Sequence, residues 1–227
     1  MKTLLIVDGA DVCRAPIIEY TLRSALAGPG WLGSVAIASR GLTAQVGAAM
    51  CTAAADRLGV SPASVAFFTG HRAERLTPAD VANAGLILTA ERDQRSAIGA
   101  LQRGAQVRTF TVKEARVLAT LLREDVQAGV TPPPADLPAL AAALQAIRGV
   151  IPVIEPAVKT SAFHWKREAT DPLSMADGHE LASLHRHTVE EARETALVLG
   201  TFLAEALRFE PVVAPPAPAS LHWIRRA

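Results

Sequence analysis

Thr3-Leu4-Leu5-Ile6-Val7-Asp8-Gly9-Ala10-Asp11-Val12-Cys13-Arg14-Ala15-Pro16 is the stretch that decides the fold. Thr3–Val7 is a short continuous apolar run, the pattern of a central parallel strand covered on both faces. The chain then turns polar for a few residues, and Pro16 opens a pattern carried by Ile17, Tyr20, Leu22, Ala25 and Leu26. Proline in a first helical turn gives up no needed donor, so a helix starts near Ala15. Strand, tight loop and helix in that order place Asp8–Ala15 at the carboxyl edge of a sheet, where α/β folds bind anions.

Outward from this unit the same alternation continues. Val35–Ala38 reads as a second strand, Ala44–Leu58 as one helix stopped by Gly59, and Leu86–Thr89 as a third apolar strand before an Arg-rich helical stretch from Glu91. Thr111 and Glu114 have the spacing of a capping box, which predicts a helix ending near Arg123. The proline-rich region from Gly129 to Pro138 reads as a surface loop, Leu137–Ile147 as a helix, and Gly149–Thr170 as irregular. Leu181, Leu184, Thr188, Ala192, Thr195, Leu199, Phe202 and Leu207 recur at helical steps, predicting a long amphipathic helix that closes the domain. The expected fold is α/β, with a three-layer α/β/α architecture on a central, mostly parallel sheet. Residues 1–210 form one domain on this reading, with an insertion-like stretch at about 124–168, and 211–227 form a proline-rich tail.

A chain of 227 residues, 50% of them hydrophobic, can bury a full core. Lys plus Arg number 23 against 22 Asp plus Glu, so no net field favours nucleic acid or an anionic membrane, and any anion site must be local. The apolar start is too short for a signal peptide or a membrane span, and two cysteines are too few for a disulfide framework. A cytoplasmic protein is expected.

The loop itself offers successive backbone N–H groups in a concave nest, a helix dipole behind them, and at its end Arg14, whose planar fork suits two phosphate oxygens. Taken alone it is equally compatible with an ordinary strand-to-helix turn.

Further motifs add to it. Asp8-Gly9-Ala10-Asp11-Val12-Cys13-Arg14-Ala15 stands in register with Cys-x-Gly-Asn-x-Cys-Arg-Ser, the loop of the low-molecular-weight protein tyrosine phosphatases and the arsenate reductases that share their fold. Gly59-Val60 and Phe68-Thr69-Gly70-His71-Arg72-Ala73-Glu74-Arg75-Leu76-Thr77 look like that family's Gly-x and His-x-Ala-Arg-x-Leu stretch, and Ala84–Thr89 like its Leu-Ile-Leu-Thr strand. Arg108–Glu114 resembles a segment common in actinobacterial members, and Thr170-Asp171-Pro172-Leu173 sits where the family carries its Asp-Pro acid loop. The resemblance covers about residues 2–208, with 124–168 poorly matched.

What the resemblance implies is sharpened by the departures. In the family the first loop cysteine attacks phosphorus, the arginine holds the equatorial oxygens, the loop serine stabilises the thiolate, and the Asp-Pro aspartate protonates the leaving oxygen. Here Asp8 stands at the nucleophile's position and Ala15 at the serine's, while Ala10 and Asp11 replace the glycine and asparagine that shape the cradle; Arg14 and Asp171, the general-acid position, remain. A carboxylate about 4 Å from a phosphate oxygen costs on the order of 4 kcal/mol per charge pair at an effective dielectric near 20. Asp8 is therefore expected to act as a built-in anion that competes with phosphate. The expected function is a catalytically impaired pseudophosphatase, a binding or regulatory module for phosphate or a phosphorylated protein. The alternative is a phosphomonoester hydrolase that uses Asp8 as nucleophile, with Mg²⁺ near Asp8 and Asp11.

Other polar residues read as structural. Cys13 is expected to be a semi-buried thiol, and Cys51, though followed by Arg57 at a Cys-x5-Arg spacing, falls inside a predicted helix where it cannot cradle an anion. His179, His185 and His187 with Asp177 do not make a ligand set, because His185 and His187 point to different faces of a helix; they read as surface residues. His71 and Arg72 read as structural contacts. No metal and no cofactor are expected.

Overall fold

In the computed structural model the described residues are 2–27, 35–150, 171–178 and 182–206. The first strand, β1 (Thr3–Asp8), runs into α1 (Arg14–Ala25), and the chain continues through β2 (Ala36–Gly41), α2 (Thr52–Leu58), α3 (Pro62–Gly70), α4 (Pro78–Asn83), β3 (Ala84–Thr89) and α5 (Arg92–Leu101). The short β4 (Thr109–Thr111), α6 (Val112–Gln127), α7 (Leu137–Ala146) and α8 (Ala182–Ala206) complete it. The four strands lie in the order β2-β1-β3-β4, all parallel.

Period-two alternation in the inner strands explains the layers. Leu4 and Ile6 of β1, with Leu86 and Leu88 of β3, join a large core that takes in Ile17, Ile18 and Leu22 of α1, Leu118 and Leu122 of α6, and Val189, Leu199 and Leu203 of α8. Leu5, Val7 and Ile87 point the other way, into a smaller core with Val81 of α4, Ile98 of α5 and Ala105. Burial of both faces is why the first strand carries no polar residue between Thr3 and Asp8.

The chain reverses direction across the sheet at β1: β2 lies on one side of it and β3 on the other. The loops after β1 and β3 therefore open side by side at the carboxyl edge, which is where such sheets hold ligands. Ala90 N–H donates to the Val7 carbonyl there at 3.0 Å.

Several expected elements appear with shifted ends. Thr111 and Glu114 form the capping box, but α6 runs on to Gln127, and α7 packs Leu137, Leu140, Ala141 and Leu144 into the core. Most of the stretch expected to be irregular and the expected tail lie outside the described residues, as do the Leu181 and Leu207 ends of the closing helix. Within α8, Thr188, Ala192, Thr195, Leu199 and Phe202 are buried as their spacing predicts, whereas Leu184 is exposed.

One element is corrected. Ala44–Leu58 is not a single helix; only Thr52–Leu58 is helical. Residues before it exchange helical hydrogen bonds for tertiary ones: Leu42 N–H donates to Asp8 O, Thr43 N–H to Gly9 O, Gly47 N–H to Ala73 O and Cys51 N–H to Val12 O, all at 2.8–2.9 Å. Gly47 takes a left-handed φ of 85° within this stretch.

Candidate functional site

Asp8 ends β1 and its carboxylate turns back into the loop that follows. Oδ1 accepts the Asp11 N–H at 2.6 Å and Oδ2 the Ala15 N–H at 3.0 Å. These are N–H groups of the kind that would hold a phosphate oxygen, and here a side chain 2% exposed takes two of them. Ala15 is fully buried behind Asp8 at the start of α1.

Asp11 shapes the turn. Its φ of 57° is left-handed, a conformation Asn and Asp tolerate better than most residues. Its Oδ2 accepts the Glu74 N–H at 2.9 Å, and its carbonyl accepts a hydrogen bond from His71 Nε2 at 2.8 Å. His71 is thus a structural brace for the loop, and Arg72, which donates to the Thr69 and His71 carbonyls, only secures its own turn. Burial raises the Asp11 carboxyl to about 6, the nearby charge of Asp8 pushing the same way, although the Glu74 amide and His71 oppose it. Gly41 lets the loop close: a Cβ there would lie 2.8 Å from the Ala10 carbonyl carbon and 2.9 Å from the Asp11 nitrogen.

Arg14 is 4% exposed and already paired. Nη1 donates to Glu91 Oε1 and to the Met175 carbonyl, each at 2.5 Å, and Nη2 lies 3.6 Å from Asp177 Oδ2. Glu91 comes from the loop after β3, so the guanidinium lies across the junction between the two inner strands. No hydrogen bond or ion pair joins it to Asp8 among the described residues. One buried guanidinium therefore faces protein carboxylates and a carbonyl where an incoming phosphate would need its fork.

The Asp171 segment returns over the same edge. Met175 N–H donates to the Ala90 carbonyl at 2.8 Å, Lys113 Nζ to the Ser174 carbonyl at 2.9 Å, and the Arg92 amide to Ser174 Oγ at 3.2 Å. Asp171 and Arg14 thus both lie at the carboxyl edge of the sheet, Asp171 against the start of α5. The Asp171 carboxylate, however, is engaged locally: Oδ1 accepts the Leu173 N–H, and Oδ2 takes Ser174 Oγ at 3.0 Å and Arg92 Nε at 2.8 Å.

A second cluster lies beside the loop and corrects the reading of its members. Cys13 is 2% exposed, deeper than expected, and it stands at the N-cap of α1. Cys51 is the N-cap of α2 rather than an interior helical residue, its Sγ accepting the Ala54 N–H at 3.4 Å. His185 is not a plain surface residue: its Nε2 is 3.3 Å from Cys13 Sγ and 3.7 Å from Cys51 Sγ. His187 is exposed, and His179 lies outside the described residues. Hydrogen bonding to Cys51 and burial push the Cys13 thiol far up, with the charges of Asp8 and Asp177 adding to both. No local motif announces this cluster, because its members come from three separate elements.

No protein-family model matches the chain, and no curated protein does. Solved structures do. The tyrosine phosphatase AmsI of Erwinia amylovora is similar over 91% of this chain and 93% of its own, at 18% identity and a TM-score of 0.51. The tyrosine phosphatase Wzb of Escherichia coli K30, solved in complex with phosphate, is similar over 91% of this chain and 92% of its own, at 16% identity and a TM-score of 0.52. A low-molecular-weight protein tyrosine phosphatase of Bacillus subtilis is similar over 89% of this chain and 97% of its own, at 16% identity and a TM-score of 0.51. With the parallel order β2-β1-β3-β4, the loop after β1 and the returning 171–178 segment, the chain has the fold of the low-molecular-weight protein tyrosine phosphatases.

Proposed function

We propose that this chain is a low-molecular-weight protein tyrosine phosphatase homologue that has lost cysteine-based phosphoryl transfer and serves in the cytoplasm as a binding or regulatory module. The observation that carries this reading is the Asp8 carboxylate, whose two oxygens occupy the Asp11 and Ala15 N–H groups of the loop. A nucleophile must reach phosphorus with a free lone pair while the loop holds the phosphoryl oxygens; here nucleophile position and loop donors satisfy each other. The pairing of Arg14 with Glu91 and Met175 supports the same reading, because phosphate would have to displace both. No helix among the described residues is long and apolar enough to cross a membrane.

The alternative, Asp8 as nucleophile with Mg²⁺, needs its carboxylate turned out of the loop and towards a metal. The test is hydrolysis of p-nitrophenyl phosphate by the purified chain with and without Mg²⁺. Release of nitrophenol at the uncatalysed rate in both is expected. Mg²⁺-dependent turnover that disappears in Asp8→Asn would overturn the proposal and establish the alternative.

A further inference from the structure

We propose that Cys13, Cys51 and His185 form a binding site for one thiophilic divalent cation, Zn²⁺, beside the loop and independent of the reading proposed for it. Their donor atoms, the Sγ of each cysteine and one imidazole nitrogen, all lie within 4.8 Å of one another. In a tetrahedral zinc site with Zn–S near 2.3 Å and Zn–N near 2.05 Å, the nitrogen and sulfur ligands stand about 3.6 Å apart. The observed Nε2–Sγ distances of 3.3 and 3.7 Å bracket that value, so an ion can enter with small side-chain adjustments. Two thiolates and one imidazole are three donors of a recurrent tetrahedral zinc set.

The surroundings favour a cation. Cys13 is buried, and Cys51 and His185 are half-buried, which removes water from the donors while leaving a path for the ion. The carboxylates of Asp8 and Asp177 act on the Cys13 sulfur with the sign that disfavours a thiolate and attracts a positive ion. Zn²⁺ reverses that logic: it binds the thiolates, the two thiol protons leave to solvent, and two negative sulfurs balance the charge of the ion. The scaffold around the donors is firm. The Cys51 N–H donates to the carbonyl of Val12, the residue before Cys13, at 2.8 Å. Gly178, where a Cβ would lie 2.7 Å from the backbone nitrogen of His185, lets the 171–178 segment press against the turn of α8 that carries the imidazole.

The site joins three elements, so an ion would couple α1, α2 and α8. The experiment is a Co²⁺ and Zn²⁺ titration of the full, reduced chain, followed by absorption spectroscopy for Co²⁺ and competition with a chromogenic chelator for Zn²⁺. One equivalent of each should bind. Co²⁺ should give a thiolate-to-cobalt charge-transfer band with the intense visible bands of a tetrahedral ion. Cys51→Ser and His185→Ala should each weaken binding by roughly 10-fold or more, as expected for losing one of three ligands. Both positions are partly exposed, and the far-ultraviolet circular dichroism of each variant reports whether it folds. A reduced chain that takes up neither ion, whether or not its two thiols couple to a disulfide in air, would overturn the proposal. Binding that survives Cys51→Ser combined with His185→Ala would overturn it equally.

Discussion

Cys13 and Arg14 are neighbours in sequence, yet their side chains serve two differently finished regions. Around Arg14 the polar groups are matched within the protein: Glu91, the Met175 carbonyl and Asp177 face the guanidinium, and Asp8 takes the loop's N–H groups. Around Cys13 the neighbours are soft donors, a second thiol and an imidazole, in a field set by two carboxylates. In the first region the loop's N–H groups already have a carboxylate acceptor from the chain itself. The second gathers sulfur and imidazole lone pairs beside those two carboxylates. The Asp8 carboxylate that takes the loop's N–H groups thus also acts on the Cys13 thiol beside it.

If Asp8 is the loop's own anion, removing it has the largest effect of any change at this edge. Asp8→Ala leaves the Asp11 and Ala15 N–H groups buried without acceptors, at roughly 1–3 kcal/mol for each group. A loss of about 2–4 kcal/mol in urea unfolding is expected in an anion-free buffer. Phosphate or sulfate at millimolar concentration should restore a good part of it, because an anion that binds only the folded state stabilises by mass action. The wild-type chain should show no such rise. A variant as stable as wild type, or one indifferent to phosphate, would break the contrast between the two regions.

On the proposed reading, installing a cysteine nucleophile is a somewhat smaller effect. Asp8→Cys alone should give barely measurable hydrolysis of p-nitrophenyl phosphate, since buried Ala15 offers no hydroxyl to a thiolate at position 8. Adding Ala15→Ser supplies a hydrogen bond to a charged group, about 1.5–3 kcal/mol, which corresponds to roughly 10- to 100-fold in rate. Initial rates of the single and double variants decide it: equal rates would mean that Ala15 plays no part. Glu91→Ala placed on the double variant should raise the rate again if the ion pair withholds Arg14.

The sheet and its edge were unequally legible in the sequence. Continuous apolar runs at Leu4–Val7 and Leu86–Leu88, too short for helices and each followed by a helical pattern, suit strands covered on both faces, so the parallel core and the loop's place at its carboxyl edge follow from local pattern. The helix expected over Ala44–Leu58 failed because apolar periodicity cannot register that Leu42, Thr43, Gly47 and Cys51 give their N–H groups to distant carbonyls. The filling of the loop by Asp8 was foreseeable from a carboxylate set among N–H donors. The partners of Arg14 were not, since Glu91 and Met175 reach it only through the sheet order and the return of the 171–178 segment. His185 was the least legible of all. Its spacing to His187 correctly excludes a shared face, but the thiols it meets lie on α1 and α2.

The last test concerns Asp11, which belongs to the closed region but retains a titratable strain. In the folded chain its carboxyl is raised from 3.8 to about 6, chiefly by burial. Between those values the folded state holds a proton that the unfolded chain has released, so stability falls as pH rises through this window. The stabilising contribution is fully present below about pH 4 and lost once pH passes 6. The whole shift sets a ceiling on the order of 3 kcal/mol, from about 1.4 kcal/mol per pH unit. Asp11→Asn removes the titration while keeping an oxygen to accept the Glu74 N–H and a side chain that tolerates the left-handed φ of 57°. Unfolding of the two chains should therefore coincide near pH 4, and the variant should be about 1–2 kcal/mol more stable near pH 7. Parallel stability profiles from pH 4 to 7 would show that Asp11 carries no such cost, and that the loop closes around two charges rather than one.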